Sequence, residues 1–277
     1  MRCRYRSAAV EGMIAPRLPL RPPSLSLRAL ENLALVEAWA AVPSLPLLAW
    51  APQGDGHPVL VLPGFTSSDN GTWYLRNVLR AKGYSAHRWG LGANVGPHPR
   101  IVRGIQRRLL ALSDQHGRAV SLVGCSLGGV YARELARAYP DQVRQVVTLG
   151  SPFRMRAPDS SSAQSLYRRL APRQDPFAGR RDHEHLREPV PVPTTSIYTR
   201  TDGVVRWHAC IDEMGTTSEN IEVRGTHTGL GVNAAALLAV ADRLAQPDGA
   251  WQPFRPPRLL GHLYPAPASW EPRWATE

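Results

Sequence analysis

From Gly54-Asp55-Gly56 onward, the chain alternates short β-branched apolar runs with segments whose apolar residues recur at helical spacing, and few architectures accept that alternation. Apolar strands separated by amphipathic helices build a parallel sheet covered on both faces. The spacing predicts strands at residues 58–62, 84–87, 120–123, 143–149, 195–199 and 220–223. It predicts helices at about residues 73–82, 101–116, 127–138 and 233–245. The expected class is α/β: a mostly parallel, open sheet of about six strands flanked by helices.

The flanking segments read differently. Nothing before His57 has a strand pattern, and residues 1–23 mix arginine with proline as an arm would. Residues 25–41 have helical spacing, with Ser24 or Ser26 available as an N-cap. The longest apolar region, residues 33–51, is broken by Glu37, Pro43 and Pro46. A membrane span needs about 20 predominantly apolar residues, so this region predicts a core or interfacial helix ending near Pro43. Residues 151–192 interrupt the strand–helix rhythm with an arginine-rich stretch far longer than the usual connection of roughly 2–6 residues. They predict either a lid over the sheet edge, with a short helix near residues 163–170, or a plain surface loop. From Pro247 the chain holds seven prolines with Trp251, Trp270 and Trp274, and predicts an extended tail. The division is then 1–54 as arm and helix, 55–246 as core with a lid inserted at 152–192, and 247–277 as tail.

Composition removes several functions. A chain of 277 residues, 43% hydrophobic, buries a sufficient core without a disulfide or metal. Cys3, Cys125 and Cys210 are an odd number at wide spacing, with no paired motif, which fits a reducing, cytoplasmic setting. The basic N-terminus lacks a continuous apolar stretch of the signal-peptide kind. The net charge of +11 invites a nucleic-acid partner. Yet Lys82 is the one lysine, the arginines are dispersed, and no basic run is interleaved with aromatics, so no nucleic acid is expected. Arginines of the arm and insertion offer a peripheral contact to anionic lipid, against the ordinary reading of a solvated face. Asp182-His183-Glu184-His185 holds metal-ligating side chains, but an isolated His-x-His in a charged loop reads as solvated, and no metal or other cofactor is expected.

The chemistry concentrates at Gly124-Cys125-Ser126-Leu127-Gly128-Gly129, between a strand pattern and a helix pattern. A serine at a sharp strand-to-helix turn stands clear of the sheet edge, above a helix N-terminus that favours developing negative charge. Glycines two before and two after let strand and helix pass closely. Such a hydroxyl needs a base, and the base needs a carboxylate to hold its tautomer. Of the downstream histidines, His183, His185, His208, His227 and His262, the best placed is His227, in Gly225-Thr226-His227-Thr228-Gly229 after the last strand. Asp202 follows the fifth strand and is the candidate acid, with Asp212 in reserve. Backbone N–H donors for an oxyanion are expected from Leu127 and from Phe65, in Leu62-Pro63-Gly64-Phe65-Thr66. The Phe65 ring either lines an acyl pocket or packs in the core. Cys125 reads as a small buried side chain. Leu166, Tyr167 and Trp207, with Phe65, are the candidate substrate contacts.

Taken together, Leu60-Val61-Leu62-Pro63-Gly64-Phe65, the serine motif, Val147-Thr148-Leu149-Gly150-Ser151-Pro152, Asp202-Gly203 and Gly225-Thr226-His227 resemble the α/β-hydrolase superfamily, in its bacterial lipase and esterase branch. The resemblance covers about residues 57–245. It implies a Ser126, Asp202, His227 triad, hydrolysis of small-molecule or lipid carboxylic esters through an acyl-enzyme, no cofactor, and a lid at 152–192. Many members carry His-Gly before the oxyanion residue, where this chain has Pro63-Gly64. The sheet here begins at the superfamily's third strand. Thioester, lactone or amide cleavage and acyl transfer draw on the same triad, and a non-catalytic binding role on this scaffold is the competing class.

Overall fold

The computed structural model describes residues 19–155, 159–171, 186 and 188–268. Six strands form one parallel sheet: β1 (Pro58–Leu62), β2 (Ser85–Arg88), β3 (Val120–Cys125), β4 (Val143–Leu149), β5 (Thr194–Tyr198) and β6 (Ser218–Glu222), in the order β2-β1-β3-β4-β5-β6. The parallel six-stranded sheet expected from the sequence is therefore present, its strand limits shifted by at most two residues, at the C-terminal end of β3 and the N-terminal end of β6.

Alternation along the central strand β1 explains why its sequence is apolar throughout. In β1, Val59 and Val61 face one core, with Leu75 and Leu79 of the helix Trp73–Ala81 and the helix Ala234–Leu244. Leu60 and Leu62 face the other, with Ile105 and Leu109 of the helix Pro99–His116 and Tyr131 and Leu135 of the helix Leu127–Ala138. Numbered along the chain after two short N-terminal helices, these four are α3, α7, α4 and α5. Full burial of each such aliphatic side chain contributes roughly 1.5–3 kcal/mol.

The N-terminal helix is not continuous. Its residues divide into α1 (Leu25–Leu30), a 3-10 turn at Glu31–Leu33 and α2 (Ala34–Ala40), followed by a second 3-10 segment, Leu45–Trp50. Ser24 caps α1 by accepting from Leu27 N–H. The tightened turn falls where Glu31 is drawn into hydrogen bonds with two distant loops. On α2, Leu35, Val36 and Trp39 are 72%, 60% and 83% exposed, so its outward side is apolar while Glu37 turns toward the body. Among the described residues no helix is long and apolar enough to cross a membrane.

Between β4 and β5 the described part of the insertion contains α6 (Gln164–Leu170). His183 and His185 lie outside the described residues, as do Trp270 and Trp274. The described tail packs Phe254, Leu263 and Tyr264 against the α3/α7 core, and Tyr264 donates to the Ala235 carbonyl.

The strand order reverses at β1, whose neighbours are β2 on one side and β3 on the other. Such a reversal opens a crevice at the strands' C-terminal ends. Register pairs Leu62 with Gly124, so the segments leaving β1 and β3 emerge side by side. There β3 passes into α5 with almost no clearance. A Cβ on Gly124 would lie 2.3 Å from Gly129 Cα, and one on Gly128 would lie 2.3 Å from the Leu62 carbonyl oxygen. Gly128→Ala is expected to cost about 1–3 kcal/mol in chemical denaturation by forcing α5 away from the end of β1. Gly261→Ala, where the added Cβ meets nothing within 4 Å, should leave the midpoint close to that of the unaltered chain.

Candidate active site

Ser126 occupies the turn between β3 and α5 with φ 48° and ψ −121°, a conformation strained for a residue with a side chain. Two hydrogen bonds hold it: Ser126 N–H donates to the Leu149 carbonyl at 2.8 Å, and Gly129 N–H donates to the Ser126 carbonyl at 3.0 Å. Leu127 is the first residue of α5, so its N–H has no acceptor within the helix. Gly64 lies directly against the serine, since a Cβ there would be 3.2 Å from Ser126 Cβ. Phe65 N–H, one residue on, has no acceptor among the described residues.

The loop that carries Phe65 is held by a residue the sequence did not single out. Asn94, fully buried, donates from its side chain to the Pro63 carbonyl at 2.9 Å and accepts from the Tyr131 hydroxyl at 3.1 Å. Its backbone pairs with the same loop, through Thr66 N–H to Asn94 O and Asn94 N–H to Ser67 O, each 2.7 Å. Thr66, at φ 63°, is the other non-glycine residue with positive φ among those described. An asparagine in a glycine-rich loop has no local signature, and only the packed structure reveals it.

His227 stands at the end of the loop after β6, and its Nδ1 lies 2.5 Å from Asp202 Oδ2. The other Asp202 oxygen accepts from the N–H groups of Val204 and Val205, at 2.8 and 2.7 Å. Asp202 is thus buried with both oxygens engaged. The imidazole fits under Gly150, whose φ of 57° leaves no room for a side chain: a Cβ would come within 3.0 Å of His227 Nδ1. Burial alone pushes the imidazole pKa down. The charge and hydrogen bond of Asp202, joined by the charge of Glu31, outweigh it and leave the pKa above its ordinary value.

The same loop is also gripped from the N-terminal segment. Glu31 Oε1 accepts from Gly203 N–H and His227 N–H, both at 2.9 Å, and Oε2 accepts from Thr228 N–H and its hydroxyl. Glu37 accepts from Thr226 N–H at 2.9 Å and from the Thr226 hydroxyl at 2.5 Å. These hydrogen bonds outweigh the cost of partial burial and lower the Glu31 pKa. Sequence reasoning missed both glutamates, whose partners are backbone groups of distant loops.

Ser126, Leu127, His227, Phe65, Leu166 and Tyr167 all line one cavity of about 630 Å³. Phe65 and Tyr167 meet edge to face across it, their ring centroids 5.2 Å apart. Trp207 is placed elsewhere: it stacks on Tyr198 and His208, with the Arg200 guanidinium 5.1 Å from its ring centre. The structure therefore does not bring Trp207 to the cavity with the other candidate contacts. Asp212, the reserve acid, is committed to the buried Arg133, at 2.5 Å, and to Arg154. Cys125 lies beside the serine, with its thiol pushed up by burial to about 12, so it stays protonated and a poor nucleophile at neutral pH.

A hydroxyl on a strained turn, an imidazole locked by a carboxylate and two N–H groups around one cavity are the parts that acyl transfer requires. No family model matches the chain. Among solved structures, lipase B of Aspergillus fumigatus superposes with a TM-score of 0.56 at 16% identity, covering 70% of this chain and 54% of that one. This chain thus spans about half the length of that protein. The esterase domain of a Rhodothermus marinus protein is 17% identical, with a TM-score of 0.48, over 70% of this chain and 88% of that one. The thioesterase domain from the curacin biosynthetic pathway is 16% identical, with a TM-score of 0.47, over 69% and 92%. At such identities the likeness is one of architecture, and with the strand order and the serine turn at the end of β3 it identifies the α/β-hydrolase fold in this chain.

Proposed function

We propose that this chain is a serine hydrolase of carboxylic esters that works through an acyl-enzyme. The observation that carries the reading is the convergence on one cavity of Ser126, at its strained turn, and His227, fixed to Asp202. In this reading the Ser126 hydroxyl attacks the ester carbonyl while His227 takes its proton on Nε2. Asp202 keeps Nδ1 protonated and stabilises the imidazolium. The N–H groups of Phe65 and Leu127 receive the oxyanion. His227 returns the proton to the departing alcohol, and a water activated in the same way then releases the acid and frees Ser126.

Lining supports an apolar acyl group. Val130, Leu149, Met155, Leu166, Tyr167 and Leu230 surround the serine, in a cavity within the range of about 300–1,000 Å³ usual for small-molecule sites. α6 contributes Leu166 and Tyr167 and in this reading belongs to a lid. Lipid esters and small aliphatic esters are the proposed substrates, and no cofactor enters the cycle.

Ser126→Ala is expected to lower hydrolysis of p-nitrophenyl esters by about 10³-fold or more with the fold retained by circular dichroism. Activity equal to that of the unaltered protein would contradict the assignment. The two aspartates should separate cleanly. Asp202→Asn is expected to lower kcat by about 10³- to 10⁴-fold at nearly unchanged stability. Asp212→Ala strands the buried Arg133 charge and should instead cost about 3–5 kcal/mol in urea titration. Because His227 must be neutral to act as the base and its pKa is raised, kcat/KM should fall as pH drops through a midpoint above the usual imidazole value of about 6.5. A midpoint below that value would count against the described pairing.

A further inference from the structure

Three consecutive backbone donors, the N–H groups of Thr226, His227 and Thr228, are all received by carboxylates from a segment almost 200 residues earlier in the chain. From this geometry we infer that Glu31 and Glu37 are positioning residues for His227, and that the N-terminal helical segment is a structural part of the active site. The inference rests on the catalytic reading given above for His227.

Glu31 joins the two loops that must stay in register. One oxygen accepts from Gly203 N–H, next to Asp202, and from His227 N–H itself. A single carboxylate therefore fixes the acid loop after β5 relative to the histidine loop after β6. Packing is close on the first of these, since a Cβ on Gly203 would lie 2.3 Å from the Leu27 carbonyl oxygen of α1. Glu37 completes the grip from α2. It fills the space that a side chain at position 229 would need, because a Cβ on Gly229 would overlap Glu37 Oε2. The Thr226 hydroxyl donates to Glu37 and accepts from Gly229 N–H at 2.9 Å, which passes the hold into the turn that follows. Without these carboxylates, three N–H groups on successive residues lose their acceptors. Misplacement of a catalytic group by about 1 Å costs on the order of 10²-fold in rate.

The charged groups that contact His227 come from two elements, Asp202 after β5 at the ring and Glu31 of the N-terminal segment at the backbone N–H, while Ser126 and the protonated Cys125 thiol at the end of β3 line the same cavity. Glu37 lies one residue away, on Thr226. Glu31 is thus the second negative charge at the imidazole, and its removal works in one direction: a neutral side chain there lowers the His227 pKa.

The test uses the full chain with Glu31→Gln, Glu31→Ala and Glu37→Gln, measuring kcat and KM for p-nitrophenyl esters against pH. In parallel, the His227 ring is titrated by NMR. Glu31→Gln, which keeps the shape and one acceptor, is expected to lower kcat about tenfold with KM little changed, and to move both the acidic limb and the ring titration to lower pH. Glu31→Ala should lower kcat further, by about 100-fold, so that Gln is a partial rescue. Glu37→Gln should lower kcat with a smaller displacement of the titration than Glu31→Gln. Unchanged kcat and unchanged ring titration in folded Glu31→Gln would overturn the inference. So would equal losses of kcat in Gln and Ala with His227 titrating as in the unaltered protein, the pattern of a merely structural contact. If the unaltered protein hydrolyses none of the esters, the catalytic reading falls, while the ring titration still decides whether Glu31 holds His227.

Discussion

The close crossing of β3 and α5 is the constraint on which the rest of the site depends. Gly124 meets the backbone of Gly129 where any Cβ would collide, Gly128 meets the carbonyl end of β1 and Gly129 the Ser151 side chain, and the one residue between strand and helix takes an unfavourable conformation. Strain at Ser126 is not stored for its own sake. It is the geometry that brings the side chain out at the sheet edge and leaves the first turn of α5 directly behind it. The parallel register of β1 with β3 then fixes what lies beside the serine, namely Gly64 and the loop that Asn94 ties down.

Electrostatic order around His227 is the second layer. Asp202 meets the ring, while two glutamates meet the backbone of its loop, so the histidine is held at both its side chain and its main chain. The two glutamates lie more than 160 residues before Asp202 in the sequence, and the local arrangement exists only when α1 and α2 are packed against the loops after β5 and β6. An N-terminal segment whose outward side is apolar and whose inward carboxylates reach the site is therefore not an appendage to the sheet.

How much of this was legible in the sequence follows from what each residue must do locally. β1 is buried on both faces, so its valines and leucines run without interruption and mark the sheet directly. Ser126 carried its own glycines, and His227 and Asp202 each follow a strand at a position the topology dictates. Glu31, Glu37 and Asn94 have no such marker, because their partners are backbone groups brought near by tertiary packing alone. The expected continuous helix over residues 25–41 missed the 3-10 turn at Glu31 for the same reason. Trp207, an apolar candidate grouped with Leu166 and Tyr167 in the sequence, instead stacks on Tyr198 and His208 away from the cavity. Asp202 was chosen over Asp212 from its place just past the fifth strand, and it is hydrogen-bonded to His227, whereas Asp212 is paired with the buried guanidinium of Arg133.

The central claim is that Ser126 is a nucleophile activated by His227. Treatment of the full chain with a fluorophosphonate, which phosphonylates activated serines, followed by mass spectrometry of its peptides, tests it most directly. The account predicts a single adduct on the peptide containing Ser126, and its loss in His227→Ala. Absence of an adduct in the folded protein, or an adduct on another residue with Ser126 untouched, would contradict it.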